Sequence, residues 1–421
     1  MAWSPAASSP EMESPSLLFV SSVVPARSGS GIAMRAHATV CALASSYDVH
    51  LLLTAPALRR LPPPPEMLTL CASVTRVPVN PWREPVAFAR VAAKRLLGAP
   101  FRPSRAAPSE WRALSVDRIR RSRAAVGVPE FDVIHVFRLY NAPFLAAFRA
   151  RRTQLDIDDI ESTTRRDLAA LALAAGRSAE ARRWERDAAA YERVEASLPR
   201  LFNRVFVASE ADIEVLQRRG IAVRPEVLPN TVAAVEPPPR PSSTSPFTIL
   251  FVATMSYPPN ADAVWFLCEQ VIPRLRAVTS RAFAFEVVGE GLPAAVRRFV
   301  EGCPELHLAR GVPDLAPWYE RAGAVIVPVR AGGGTRIKTL EALAHCRAVV
   351  ATSKGVEGLR IRSGEHALVA DSAEGLATCL ARLIDSPATA AGLAERGYRL
   401  VKTHYAPAVL ERVLRPAPGG G

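Results

Sequence analysis

The sequence predicts an α/β protein of two domains, each built on a doubly wound parallel sheet. Three observations carry this. Short apolar runs alternate with amphipathic helical stretches along most of the chain. The alternation breaks once, over residues 235–247, and then restarts. The 421 residues, 49% of them hydrophobic, are too many for one comfortable core and suit two of roughly 200 residues each. Two such domains leave a cleft between them.

Taken in order, "SPSLLFVSSVVPARSGSGIAMRAHATVCALASSYDVHLLL" predicts a buried strand over Leu17–Val24 and a loop with Gly29, Ser30 and Gly31. A helix near 32–45 and a strand at 48–53 follow, which makes a βαβ opening. Prolines interrupt residues 61–110, and no element is assigned there. "FDVIHVF" (131–137), "QLDID" (154–158) and "RVFVAS" (204–209) read as short parallel strands, and the charged stretch 163–198 as one or two helices. "VEPPPRPSSTSPF" breaks both periodicities and marks a linker. Beyond it come a strand at 248–255, a helix at 260–276, a strand at 283–289, a helix at 293–301, a strand in "LHLARG", a helix at 314–321 and a strand at 324–329. After "VRAGGGTRIKTLEALAH" the pattern adds strands at 348–352 and 366–370, then helices at 373–386 and 388–414.

The formal charge of +13 leaves nucleic acid, an anionic membrane surface and a phosphorylated small molecule open as partners. Basic residues are densest at Arg83, Arg90, Lys94, Arg95, Arg102, Arg105, Arg112, Arg118, Arg120, Arg121 and Arg123, with few aromatics among them. That scarcity argues against a base-stacking platform. The patch suits either a plain solvated face or an anionic membrane, which attracts about 1 kcal/mol per well-placed cation. The six cysteines form no CxxC pair and lie near no histidine cluster, as expected of reduced thiols in a cytoplasmic protein. Glu11 and Glu13 precede the first apolar run and no apolar stretch reaches about 18 residues, so neither a signal peptide nor a spanning helix is predicted.

The chemistry concentrates in "VRAGGGTRIKTLEALAH", residues 329–345. With a strand before it and a helix starting near Thr335, its glycines sit at the carboxyl end of a parallel strand, where open α/β sheets bind ligands. Free N–H groups and the positive end of the helix dipole then suit a phosphate. Ile337, Leu340 and Ala344 repeat toward the core, while Gly334, Lys338, Glu341 and His345 repeat on a stripe facing the cleft, with Arg336 at the helix mouth. Arg336 and Lys338 would hold a diphosphate and stabilise it as it leaves, and Glu341 would accept hydrogen bonds from ribose hydroxyls. An ordinary Lys338–Glu341 surface pair worth about 0.2–0.5 kcal/mol, beside a plain turn, is the competing reading. The spacing is not GxxxxGK[ST], and no GxGxxG follows the first strand of the second domain. Asp156, Asp158, Asp159 and Glu161 crowd together, as a hard cation would require, although Asp159 also suits a helix N-cap.

Together "FVATMSYPPNADAVWFL", "FEVVGEG", "LARGVPDLAPWYERAGAVIVPVRAGGGTRIKTLEALAHCRAVVATSKGVEGL" and "LDIDDIEST" resemble the retaining GT-B glycosyltransferases of family 4, the glycosyl transferases group 1, over about residues 15–410. The resemblance implies two Rossmann-like domains facing a cleft: 15–234 on the acceptor side, a linker at 235–246, and a donor domain at 247–390. A last helix, 391–414, would pack back toward the first domain. It implies metal-independent transfer, with retention, from a UDP- or GDP-sugar to a hydroxyl of a glycan, lipid-linked or small-molecule acceptor. No tightly bound cofactor and no nucleic acid are implied, and peripheral contact with the inner face of a membrane fits the basic patch.

By position, Glu341 matches the second glutamate of the family's E-x7-E motif, while Gly333 stands at the first. Sugar recognition then passes to N–H groups of Gly333, Gly334 and Thr335, with Gly332 in the same donor-binding loop. "MSYPPNADA" carries no cation, so Arg336 and Lys338 become the diphosphate clamp. Gly311 and Val312 match the turn under the nucleobase, and Gly29, Ser30 and Gly31 the loop facing the donor phosphates. His135 stands where relatives place a histidine near the reacting centre, or is a core histidine. Arg138, Asp158 and Asp159 fall on the acceptor side. Relatives carry Gly at Cys346 and Pro at Ala348, so a locally different helix end is expected. The missing first glutamate also fits a catalytically weak scaffold that binds or regulates.

Overall fold

The computed structural model describes residues 14–54, 64–78, 107–112, 114–235, 246–334 and 336–416. Most of the linker, Thr335 and the cations Arg83, Arg90, Lys94, Arg95, Arg102 and Arg105 lie outside the described residues. Two all-parallel sheets carry the chain. The first has seven strands: β1 (Ser16–Ser21), β2 (Asp48–Leu53), β3 (Ser73–Arg76), β4 (Glu130–Phe137), β5 (Arg149–Asp156), β6 (Arg204–Val207) and β7 (Glu226–Val227), in the order β3-β2-β1-β4-β5-β6-β7. The second has six: β8 (Phe247–Val252), β9 (Phe283–Val288), β10 (Leu306–Ala309), β11 (Ala324–Val327), β12 (Val349–Ala351) and β13 (Leu368–Val369), in the order β10-β9-β8-β11-β12-β13.

Helices cover both faces, so the central strands are apolar without alternation: Leu17, Leu18, Phe19 and Val20 in β1 and Ile249, Leu250 and Phe251 in β8 are fully buried. Strand order reverses between β1 and β4 and again between β8 and β11. At such switch points the connections leave to opposite faces and open a crevice outside the carboxyl ends of the strands. This is the GT-B architecture.

Several boundaries differ from the periodicity, each for a local reason. β1 stops at Ser21 and not Val24, because the Ser21 hydroxyl donates to the Val23 carbonyl and accepts from its N–H, closing a serine turn. The charged stretch is two helices, Glu161–Ala174 and Ser178–Glu195, broken at Gly176, whose φ is +73°. The helix after β8 runs Pro258–Phe266, widens into a π turn at Leu267–Val271 and continues as Ile272–Val278. Pro273, which has no N–H to donate, lies just past the widened turn.

The last predicted helix is also two, Pro387–His404 and Ala408–Leu414, separated at Pro407. The first packs on the helix Ile337–Ala344, where a Cβ on Gly397 would stand 2.4 Å from Leu343. The second lies on the first domain: Leu410 and Leu414 join the core around Phe19, and the Val413 carbonyl accepts from Arg204 at 2.7 Å. The segment before the linker crosses the other way, the Val232 N–H donating to Tyr405 and the Val235 carbonyl accepting from Tyr398. Arg118, read as part of a solvated patch, is buried. None of the six cysteines forms a disulfide, and among the described residues no helix is long and apolar enough to cross a membrane.

Candidate active site

The switch-point loops of the two sheets face each other. After β11 the chain runs through Gly332 (φ +101°), Gly333 and Gly334 (φ +70°) into the helix Ile337–Ala344. Left-handed backbone at two of these positions favours glycine. Among the described residues none accepts from the N–H groups of Gly332, Gly333 or Gly334. The loop keeps its shape through Arg336, which is buried and donates from Nη1 to the Gly333 carbonyl (3.0 Å) and from Nη2 to Gly332 (2.6 Å) and Ala331 (3.3 Å). Its Nε donates to the Lys354 carbonyl at 3.0 Å. The guanidinium expected on a diphosphate is thus spent on holding carbonyls inward.

On the helix, Ile337, Leu340 and Ala344 are buried, and Lys338, Glu341 and His345 form a half-buried stripe. Lys338 makes no surface pair with Glu341. Its Nζ donates to Asn260 Oδ1 at 2.7 Å and lies over the Phe251 ring, 5.3 Å from the centroid. Asn260 is fixed in turn by donating to the Thr254 carbonyl at 2.8 Å. Burial, and then the neighbouring Arg336, pull the Lys338 ammonium down to about 7. Burial pushes the Glu341 carboxyl up to about 7. Both groups therefore favour losing their charge in this crevice. His345 stacks on Tyr319 at 4.3 Å, and the helix ends in a left-handed turn at Cys346, φ +53°. Arg347 N–H donates to Ala342 and Cys346 N–H to Leu343, so the usual Schellman end forms with cysteine in the glycine position. The expected local difference is therefore confined to residue type.

After β10, Gly311 (φ +63°) donates its N–H to the Glu290 carboxylate, and Val312 leans on the core of the second domain. Across the crevice Gly29 and Ser30 are exposed, and a Cβ on Gly31 would stand 3.2 Å from Ile337 Cδ1. The first domain's glycine loop thus meets the mouth of the helix that carries Lys338.

The acidic cluster is paired with arginines. Arg35 grips Asp156 from Nε (3.0 Å) and Nη2 (2.7 Å). Arg138 donates to Asp158 (2.8 Å), Asp159 (2.7 Å) and Glu161 (2.5 Å), and Arg165 to Glu161 (2.5 Å) and Glu110 (2.8 Å). Among the described residues no group of carboxylates, histidines and cysteines is arranged to hold a metal ion. Asp159 does not cap the following helix, whose N-cap position is Ile160. Arg138 and Asp158 hold φ of +70° and +56° at the ends of β4 and β5, backbone that costs energy outside glycine and gathers at functional sites. Burial, then the charge of Asp159, raises Asp158 to about 6. Burial opposes ionisation of Asp159 too, but Arg138 prevails and holds it below the usual carboxylate range.

His135 is not brought to this crevice. It is fully buried in β4, stacked between Phe19 (5.1 Å) and Phe206 (6.0 Å), with Nδ1 against Gln154 Oε1 at 3.2 Å. Burial depresses its pKa to about 4, so it is a neutral core histidine. Sequence reasoning missed Asn260, because "MSYPPNADA" was read only for cations. It also missed Thr164, Glu290 and the ion pair between Lys354 and Asp167 (2.6 Å), which joins the two domains.

Residues 246–386 match the family described as glycosyl transferases group 1. No curated protein matches the chain in sequence. Among solved structures it is similar to sucrose-phosphate synthase from Thermosynechococcus elongatus at 16% identity and a TM-score of 0.66, covering 95% of this chain and 97% of that one. It is similar to HepE of Anabaena, solved with UDP and glucose, at 12% identity and a TM-score of 0.59 over 95% and 98% of the two chains. The pneumococcal O-GlcNAc transferase GtfA, solved with UDP and GlcNAc, matches at 8% identity and a TM-score of 0.60 over 95% and 97%.

Proposed function

We propose, for a chain whose second domain matches the glycosyl transferases group 1, a retaining glycosyltransferase that moves a sugar from a UDP- or GDP-linked donor to an acceptor hydroxyl. Glycan, polysaccharide or glycolipid synthesis is the setting this suits. One observation carries the reading: unbonded N–H groups of a glycine loop, the Lys338 ammonium and the Glu341 carboxyl line one crevice at facing switch points.

Glu341, one turn into the helix, takes the ribose hydroxyls. Lys338 and the loop N–H groups of Gly332, Gly333 and Gly334 take the diphosphate, with Thr335 in the same loop. Gly311 and Val312 back the nucleobase. As the bond from the anomeric carbon to the diphosphate oxygen breaks and a bond to the acceptor oxygen forms on the same face, charge grows on the leaving diphosphate. Fixed donors in a water-poor crevice stabilise that charge more than they stabilise the ground state. Arg336 acts through the loop it shapes, and Gly29, Ser30 and Gly31 close the phosphate side from the first domain. Arg138 and Asp158 border the acceptor, where the raised pKa of Asp158 favours a role in receiving the hydroxyl proton. The transfer proposed is one without a metal.

A thermal-shift series with UDP, GDP and their sugars tests the donor. The melting temperature rises with at least one of them, and Lys338→Ala lowers donor turnover. No shift with any member would sink the assignment. The buried His135 and the carbonyl-bound Arg336 favour a second reading, a scaffold that binds nucleotide-sugar without turnover. Release of free nucleoside diphosphate with acceptor present excludes it. Peripheral contact of the basic first domain with anionic lipid belongs to the same proposal, and equal recovery from neutral and anionic vesicles at low salt refutes that part.

A further inference from the structure

Along the donor helix the order of groups is Glu341, Lys338, then the glycine loop. On the reading above this follows ribose, diphosphate and sugar, so the transferred sugar lies beyond the diphosphate, at the edge where the first domain touches Gly333 and Gly334. Those residues have no side chains to read it, and the first domain occupies the space side chains would need. A Cβ on Gly333 would fall 2.0 Å from Thr164 Oγ1, and one on Gly334 would fall 1.9 Å from Asp159 Oδ1.

Both polar groups are poised for a ligand. Thr164 is 3% exposed, and its hydroxyl, aimed at the loop, has no hydrogen-bond partner among the described residues. Asp159 is anchored through Oδ2 to Arg138 at 2.7 Å, which leaves Oδ1 turned toward Gly334. Anchoring one oxygen fixes the direction of the other, so it accepts a hydroxyl at little further entropic cost. The ion pair between Lys354 and Asp167 clamps the same helix, Glu161–Ala174, to the second domain close by.

We propose that Asp159 and Thr164 select the donor sugar: the specificity-determining polar groups come from the first domain and reach the sugar over the side-chain-free loop of the second. This rests on the donor reading and assigns its sugar-binding half. Nucleoside diphosphate binding then does not depend on Asp159 or Thr164, while the sugar's added affinity does.

The test is the ratio of dissociation constants, nucleoside diphosphate over nucleotide-sugar, by calorimetry with UDP against UDP-glucose and UDP-GlcNAc, and GDP against GDP-mannose. Asp159→Asn lowers the ratio about tenfold for the sugar that wild type prefers and leaves the diphosphate constant unchanged. Thr164→Val, which keeps shape and leaves the Asp159–Arg138 pair intact, moves the ratio the same way and serves if Asp159→Asn does not fold. Unchanged ratios in the folded variants, or equal losses for diphosphate and nucleotide-sugar, overturn the proposal while leaving the donor reading standing. Failure of wild type to bind any of these ligands overturns both.

Discussion

With Lys338 placed on the diphosphate as proposed, nucleoside diphosphate binding depends on pH in a way that a surface lysine would not produce. The Lys338 pKa falls from 10.5 to about 7, first because the ammonium is buried and second because Arg336 is near. A diphosphate needs the charged form. At pH 7 about half of the free protein carries it, and at pH 9 about one molecule in a hundred does. Bound phosphate restores the ammonium, so above pH 7 binding takes up a proton. Affinity therefore falls about fiftyfold from pH 7 to 9, or about 2.3 kcal/mol. The last ionisation of the phosphate, near 6, lies below this window and does not contribute. Titration calorimetry at pH 7, 8 and 9 with UDP and GDP measures the slope, and buffers of different ionisation enthalpy count the proton. Lys338→Met binds more weakly and without the slope. A flat wild-type profile, or a slope that survives Lys338→Met, refutes the placement of this ammonium on the diphosphate.

Three further perturbations follow from the packing. His135 has its pKa depressed from 6.5 to about 4, so between those values the unfolded chain binds more protons and stability is lost as pH falls. The loss approaches about 3 kcal/mol at pH 4. His135→Phe flattens that part of a urea-midpoint profile, and donor turnover persists; abolished turnover in a natively stable variant contradicts a core role. Cys346→Gly relieves the left-handed backbone and raises stability by about 1 kcal/mol in chemical denaturation, and a loss instead would deny the Schellman end. Arg336→Met leaves the carbonyls of Ala331, Gly332, Gly333 and Lys354 without their donor. It costs roughly 1–3 kcal/mol of stability, and a variant of native melting temperature contradicts the loop-holding role.

The cleft stripe was legible because helical period alone separates Lys338, Glu341 and His345 from Ile337, Leu340 and Ala344. The two sheets were legible because strands buried on both faces must be continuous apolar runs, as "SLLFV" and "TILFV" are. What Arg336 touches was not. An arginine at a helix mouth beside a glycine loop has the same local pattern whether it faces a phosphate or folds back onto carbonyls. Only the loop's left-handed turns, which aim those carbonyls inward, distinguish the two. His135 was ambiguous for a similar reason. A strand alternates its faces, but in a doubly covered sheet both faces are core, so period cannot tell a site histidine from one stacked between Phe19 and Phe206.

By itself, then, the sequence determined two α/β units, the glycine turn at the end of a strand, and the cation and carboxylate one turn apart behind it. These are short-range facts, set by backbone conformational preference and by which residues cannot remain in water. The tertiary structure decided which domain supplies each side of the crevice. Gly333 and Thr164 are 169 positions apart in the chain, and the cost of a side chain at Gly333 is set by the position of Thr164. Volume exclusion between two docked domains leaves no periodic trace in either segment. At Gly333, where a glutamate was expected, the space a side chain would need is occupied by Thr164 of the opposite domain.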